Sequence, residues 1–514
     1  PDRHRTDSSI KKRDKKKGRK IMKKRIAALL LAALMLTGIL ASCVNRKPDN
    51  PGGSDNNGTG TRDDDWDFSR FNDINLPEGT VVNIMSRAHQ RHANEITVET
   101  EDGKEPDDFI LASVWKRQKE VEEILGVTIK NNKVEETDEH GGRTLIQSVV
   151  SGGDNTYDIY ASSYYGSSIL AADGLFLDLY NVKNLDTTRE YWSQYYIDKS
   201  QIGKGLYTIT GDLAVSATRF LFVTFFNKDL VKEYQINDPY KMVADGTWTY
   251  DTMLATVKSI YKDVNSDGER DENDFYGMGV NNYLGVDAYT SAFNIPTITI
   301  NSDKQAEICL NYEKYADVVD KLYTLFWKTE GVLNKQDPDH LATLFSQNTL
   351  IFSQSWLYNC ESYDMRDMAS DYGIIPYPKY NEQQSEYYSF GHDQITIFAV
   401  PKTTSQADAA GAVLEVMSAT SRSTVIDQYY EMALKGRYAR DEESVQMLDM
   451  IRSNFLLDTG WIYCESTNLM SRMLRTLIEA KSKNFSSYYQ KYRESFEASV
   501  KDLNNAFAGL DEEN

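Results

Sequence analysis

Within twelve residues stand Asp263, Asn265, Asp267, Glu269, Asp271 and Asp274, with Gly268 at the sixth position. Side-chain donors at positions 1, 3, 5, 9 and 12, a backbone carbonyl at position 7 (Glu269) and a glycine for the sharp turn are what a calcium loop requires. Position 12 is Asp rather than the usual bidentate Glu, which weakens one arm of the coordination. Phe275-Tyr276-Gly277 behind it does not read as a helix, so half of a helix–loop–helix unit is expected. The role this implies is structural, a calcium ion stapling a loop.

Patterns that carry covalent chemistry are missing. The chain has no G-x-x-x-x-G-K-[ST], no H-E-x-x-H and no G-x-S-x-G. His89 and His92 stand three apart with no carboxylate between them, which is not a zinc motif. A glycosidase needs two carboxylates paired in space, which sequence spacing does not reveal. No Asp or Glu here stands in a recognisable glycosidase context.

Charge narrows the partners. The formal net charge is −20, but residues 1–43 hold 13 Lys/Arg against 3 Asp/Glu. The rest therefore holds 44 basic and 74 acidic residues, a net of −30. Such a surface repels polyanions, and nucleic acid is excluded as a partner because phosphate contacts need a basic footprint. Residues 44–514 number 471, too many for one ordinary core, so two lobes are expected. Aromatic residues are skewed to Tyr, 33 against 19 Phe and 7 Trp, and Tyr suits half-wet surfaces. Beyond Cys43 only Cys309, Cys360 and Cys464 remain, enough for one disulfide at most and without metal-cluster spacing.

The elements that must position any site alternate in type. Residues 81–85 read as a strand, and Asp107-Asp108 can cap a helix that stops at Gly126. Residues 127–129 are a strand, 144–150 a helix and 157–161 a third strand. That order predicts a parallel α/β sheet, whose ligands bind beyond the carboxyl ends of the strands. Two loops follow those ends, residues 86–90 and Ser162-Ser163-Tyr164-Tyr165. Further on, 223–226 and 395–400 read as strands, 251–261 and 407–419 as helices, and 468–507 as mostly helical. There is no internal repeat.

Lys23-Lys24-Arg25, an apolar run over 26–40 and Ala41-Ser42-Cys43 describe a secretory signal peptide. Fifteen apolar residues fall short of the ~20 that span a bilayer. Cys43 after small residues resembles the lipobox of bacterial lipoproteins, which implies a lipid on its sulfur and an extracytoplasmic, membrane-anchored chain. Residues 45–65 hold no aliphatic side chain and read as a disordered tether.

Beyond the tether the chain resembles the extracellular solute-binding proteins of ABC importers, in the family that takes up oligosaccharides. Gly174-Leu175-Phe176-Leu177-Asp178-Leu179 is similar to an early family turn. Phe225-Phe226-Asn227-Lys228-Asp229-Leu230 resembles the Y-N-K-D-L segment, with Phe226 where Tyr is usual. Gly246-Thr247-Trp248-Thr249-Tyr250-Asp251 resembles a W-T-W-D helix start. Tyr372-Gly373-Ile374-Ile375-Pro376-Tyr377-Pro378 and Ala399-Val400-Pro401-Lys402 match two late signatures. The resemblance implies a two-lobed, type II periplasmic-binding-protein-like α/β fold, each lobe a mostly parallel sheet flanked by helices, with the hinge crossed near 218, 392 and 426. Residues 1–43 would be leader and signal peptide and 44–65 the tether. The first lobe would take 66–218 plus 392–425, and the second 219–391 plus 426–514.

The function implied is capture of a carbohydrate, with no catalysis, by a monomer that delivers it to ABC permease subunits. A cell-surface enzyme acting on glycans and a sensor or adhesion protein of the same fold are the other readings. Sugars are gripped by aromatic faces with polar groups at the rim. The candidates are Arg87, His89, Tyr164, Tyr165 and Asp212 from the first lobe, and Asn282, Tyr283, Trp356 and Tyr358 from the second. Trp356 stands where the resemblance implies a stacking aromatic.

Overall fold

A computed structural model describes residues 68–89, 91–135, 142–429 and 441–513. The signal peptide, Cys43, the tether and Gln90 lie outside the described residues. Strands β1 (Val81–Arg87), β2 (Thr128–Val134), β3 (Ile159–Ser163) and β12 (Thr396–Ala399) form one sheet in the order β12-β3-β1-β2. β1 pairs parallel with β2 and β3, while β12 pairs antiparallel with β3. Between β1 and β2 runs helix Phe109–Leu125, capped by Asp108, whose carboxylate accepts from the amides of Ile110 and Leu111. Gly126 ends it with φ at 63°, a left-handed turn that other residues resist.

The second sheet holds β4 (Phe222–Asn227), β5 (Tyr261–Lys262), β6 (Phe275–Asn281), β9 (Val332–Lys335), β10 (Leu350–Trp356) and β11 (Tyr372–Ile375). Its order is β11-β4-β10-β6-β5, with β9 also on β6. The expectation of a mostly parallel sheet fails here: β4 runs against β10 and β11, and β5 against β6. Only β6 with β10 and β6 with β9 are parallel. A small hairpin, β7 (Ile298–Ile300) with β8 (Ala306–Ile308), stands apart.

The reversal has a topological cause. The chain passes from one sheet to the other just before β4 and returns just before β12. Each crossing strand starts at the junction and must run away from it. The two crossings lie side by side: the Phe222 amide donates to Phe390 O and the His392 amide to Phe220 O, both at 3.0 Å. β4 is buried on both faces, Val223 and Phe225 in one core and Phe222 and Phe226 in another. That makes it a continuous apolar run whose direction periodicity cannot reveal. After helix Ala407–Ser421, which packs on helix Phe109–Leu125, the chain reaches helix Glu442–Ser453 against β11.

The last helix, Phe485–Glu513, touches residues of both proposed lobes. The Asn504 carboxamide accepts from the Ala306 amide at 2.8 Å, and the Asp511 carboxylate accepts from the Lys204 amide at 3.0 Å. Cys309, Cys360 and Cys464 form no disulfide. Among the described residues no helix is long and apolar enough to cross a membrane.

Candidate functional site

The carboxyl ends of β1, β3, β6 and β10 converge on the paired crossings. Trp356, the last residue of β10, is 2% exposed, its ring 5.5 Å from Phe220, 4.9 Å from His392 and 6.4 Å from Tyr358. The Arg91 guanidinium lies 5.0 Å from the Trp356 ring and 5.5 Å from that of Tyr358. Beside this cluster is a cavity of about 70 Å³ lined by Ser163, Tyr165, Tyr283, His392, Asp393 and Gln394. Tyr165 comes from the first lobe, Tyr283 from the second and His392 from the crossing between them. The Arg472 guanidinium sits 4.1 Å over the Tyr165 ring, and Arg475 lies 4.5 Å over Tyr283.

Ser162 and Ser163 close β3, and Tyr164–Ala172 is a helix where a loop is expected. The Ser163 hydroxyl accepts from the Gly166 amide and starts that helix. Tyr164 is fully buried and donates to Gly391 O at 3.3 Å, so it braces a crossing. Arg87 is also buried, donating to Gln394 O at 2.8 Å and Thr396 Oγ1 at 2.6 Å. His89 is half-buried, its Nδ1 accepting from the Arg91 amide. Asn282 is buried behind Tyr283 and its amide donates to Lys335 O.

Asp212 is not brought together with the others. It lines a separate cavity of about 210 Å³ with Trp192, Tyr196, Arg452 and Phe455, which Leu221 and Ile395 of the crossings also border. Burial pushes its carboxyl up to about 6, against the pull of Arg452 and Arg422. The residues missed by sequence are Arg91, Phe220, His392, Asp393, Arg472 and Arg475. Only Arg91 carried a signal, in the run Arg87-Ala88-His89-Gln90-Arg91-His92.

Glu95 ties the first lobe to both crossings, accepting from the Ser216 amide at 2.7 Å and Thr396 Oγ1 at 2.6 Å. Burial would raise its carboxyl, but His92, Arg87 and the Ser216 hydrogen bond outweigh burial and hold it at about 2. Burial first, then the Arg87 charge, lowers His92 to about 4. Between their ordinary values of 6.5 and 4.5 and these folded values, the unfolded chain binds protons that the fold refuses. His92 therefore costs stability as pH falls from 6.5 to about 4, and the stability that Glu95 contributes above 4.5 is lost as pH falls toward about 2; neither adds pH dependence above 6.5. Urea midpoints at pH 7 and pH 4.5 are expected to differ less in His92→Gln than in the unsubstituted protein. An equal difference would remove His92 from the account.

The calcium-loop residues lie between β5 and β6. The Gly268 amide donates to Asp263 Oδ2 at 3.1 Å, the Glu269 amide to Asp267 Oδ1 at 2.8 Å and the Val264 amide to Asp274 Oδ1 at 3.1 Å. Asn265 and Asp271 hold the turn by similar local bonds. The loop joins the antiparallel strands β5 and β6, so no helix follows it, and the preceding helix, Tyr250–Val257, ends before β5. Among the described residues, no group of three or more His, Cys, Asp or Glu is arranged to hold a metal ion.

Two α/β lobes joined by side-by-side crossings, with aromatic rings from both at the junction, define a two-lobed binding protein of type II. The sequence model of the bacterial extracellular solute-binding protein family matches residues 122–421, and the chain belongs to that family. It is a solute-binding protein and not an enzyme. Among solved structures, it is similar to a cyclo/maltodextrin-binding protein complexed with maltotetraose (TM-score 0.52, 11% identity, 85% of this chain and 98% of that one). An ABC substrate-binding protein of Listeria monocytogenes with cycloalternan gives TM-score 0.50 and 13% identity over 84% and 100% of the two chains. A solute-binding protein of Thermotoga lettingae bound with α-D-tagatose gives 0.50 and 11%, also over 84% and 100%. At such identities the likeness is one of fold. No curated protein sequence matches the chain.

Proposed function

We propose that this protein captures a carbohydrate, an oligosaccharide, between its lobes and delivers it to the permease of an ABC importer. The observation that carries the reading is the aromatic cluster of Phe220, Trp356 and Tyr358 at the junction, flanked by Tyr165 and Tyr283 from opposite lobes. Flat faces edged by arginine, histidine and one carboxylate are the chemistry of a sugar site. A ligand enters by lobe opening and is held by closure, a two-state hinge biased by differential affinity. Saccharide ligands of the similar structures support the same class. The protein acts as a monomer tied to the membrane through lipidated Cys43. Replacing Cys43 by alanine is expected to move it from the membrane fraction into the medium; unchanged membrane retention would end the lipid proposal.

A calcium ion is proposed at the loop of Asp263, Asn265, Asp267, Glu269, Asp271 and Asp274, supported by the donor spacing and by Gly268 in the left-handed conformation. One thermal-shift experiment on residues 66–514 tests both ideas. A bound saccharide at about 100 times its dissociation constant should add about 2.7 kcal/mol of stability. Calcium at millimolar concentration should raise the Tm, and a chelator should reverse the rise. No shift with any mono- or oligosaccharide would defeat the carbohydrate reading, and a Tm indifferent to chelator would defeat the calcium site.

A further inference from the structure

We propose that the captured saccharide carries a carboxylate, as a uronate does, and that Arg91 is the residue that selects it; this rests on the carbohydrate reading above. The argument is an inventory of hydrogen-bonding groups at the lobe junction. The acids there are already engaged. Glu95 is held by the Ser216 amide and Thr396 Oγ1. Asp339 takes Arg91 Nη2 at 2.5 Å and Asn359 Nδ2 at 3.1 Å. Asp393 takes Arg472 Nη2 at 3.3 Å and lies 2.9 Å from His392 Nδ1. Glu361 receives Arg219 and the Tyr429 hydroxyl.

The donors are not exhausted. Trp356 Nε1, Arg91 Nε and Arg472 Nε are each buried without an acceptor, and none of these groups can accept. His392 Nε2 is also unpartnered, its role following its tautomer. At the same junction the unpartnered side-chain acceptors are Asn282 Oδ1 and, with Nε2 donating to Gln394 Oε1, His92 Nδ1; the hydroxyls of Tyr377 and Ser389, also unpartnered, can serve as either donor or acceptor. The three donors are contiguous. Arg91 lies over the Trp356 ring, that ring meets His392, and His392 borders the cavity where Arg472 covers Tyr165.

A buried donor without an acceptor is costly, so a ligand that satisfies several at once is favoured. A sugar hydroxyl brings a donor with every acceptor, whereas a carboxylate brings two acceptor oxygens and a charge. The polarity of the rim agrees. From Arg87 to His92 every ionisable side chain is an arginine or an imidazole, in a chain of net charge −20. The half-buried His89 shows the field: burial lowers its pKa and the charges of Arg91 and Arg87 lower it further. Arginine, with its planar fork, suits a carboxylate better than a ring hydroxyl does.

The test is calorimetric titration of residues 66–514 with matched probes: trigalacturonate and an aldotetrauronate, each against its methyl ester, which keeps the skeleton and removes the charge. The acid form of at least one probe is expected to bind at least 100-fold more tightly than its ester. Its affinity should weaken as salt rises, and Arg91→Gln should reduce it at least tenfold, with Arg91→Lys intermediate. Circular dichroism and the Tm of both variants show whether they are folded. Should Arg91→Gln not fold, Arg472→Gln is expected to give the same loss. Ester and neutral oligosaccharide binding as tightly as the acids would overturn the inference while leaving carbohydrate capture standing. If none of these probes binds while a neutral saccharide raises the Tm, the inference falls alone; if no mono- or oligosaccharide of any kind binds, both readings fall.

Discussion

Trp356→Ala is expected to weaken ligand capture by at least two orders of magnitude and to cost about 3–5 kcal/mol of stability, the range for a large buried aromatic cut to alanine. The indole ends β10 where the second lobe meets the crossings, and Phe220, Phe222 and His392 all pack on it. Its removal takes away the widest flat face at the junction and leaves Arg91 without the ring it covers. Stability and binding can be separated. Trp356→Phe keeps most of the packing and removes Nε1–H, so its urea midpoint should stay near that of the parent while affinity falls about tenfold. Full-strength binding in folded Trp356→Ala would place the ligand elsewhere on the molecule, the 210 Å³ cavity at Asp212 being the next place to look.

The sequence made the alternation of elements visible because the devices that produce it are local. Asp108 and Gly126 bracket their helix by side-chain capping and by a left-handed turn, and both are legible as residue types. The family signatures carry less chemistry than packing. Gly373 is one: a side chain there would meet the Phe226 ring at 2.4 Å. What spacing could not reveal is long-range. β4 looks like any strand buried on both faces, and its reversal follows from where the chain enters the sheet. Tyr164 and Tyr165 read as loop because aromatic residues give little helix signal, whereas Ser163 supplies the cap. Asp212 and Arg87 are both first-lobe candidates in the sequence, yet one lines a different cavity and the other is bonded to Gln394 and Thr396. Arg472 lies hundreds of residues from Tyr165, and only the folded chain puts one over the other.

Asp287→Ala is expected to destabilise the protein by about 3–5 kcal/mol, as large an effect as any at the junction. Asp287 on helix Leu284–Ala292 and Arg475 on helix Met473–Glu479 are both nearly fully buried and pair through two parallel bonds, one being Arg475 Nε to Asp287 Oδ1 at 3.1 Å. Removing the carboxylate leaves a guanidinium in a low-dielectric interior with its hydrogen bonds unmade, and that penalty exceeds the net worth of the pair. Replacing both partners, as Asp287→Leu with Arg475→Met, removes the desolvation of two charges along with their attraction, so most of the lost stability should return. The double variant should then report on the ligand wall, because Arg475 stacks 4.5 Å over Tyr283. Stability near that of the parent with weakened saccharide affinity would mean that the pair is kept to position Tyr283. Urea midpoints at constant slope measure the first effect. A loss under 1 kcal/mol in Asp287→Ala would show that water reaches the pair and that the two helices are not sealed against each other.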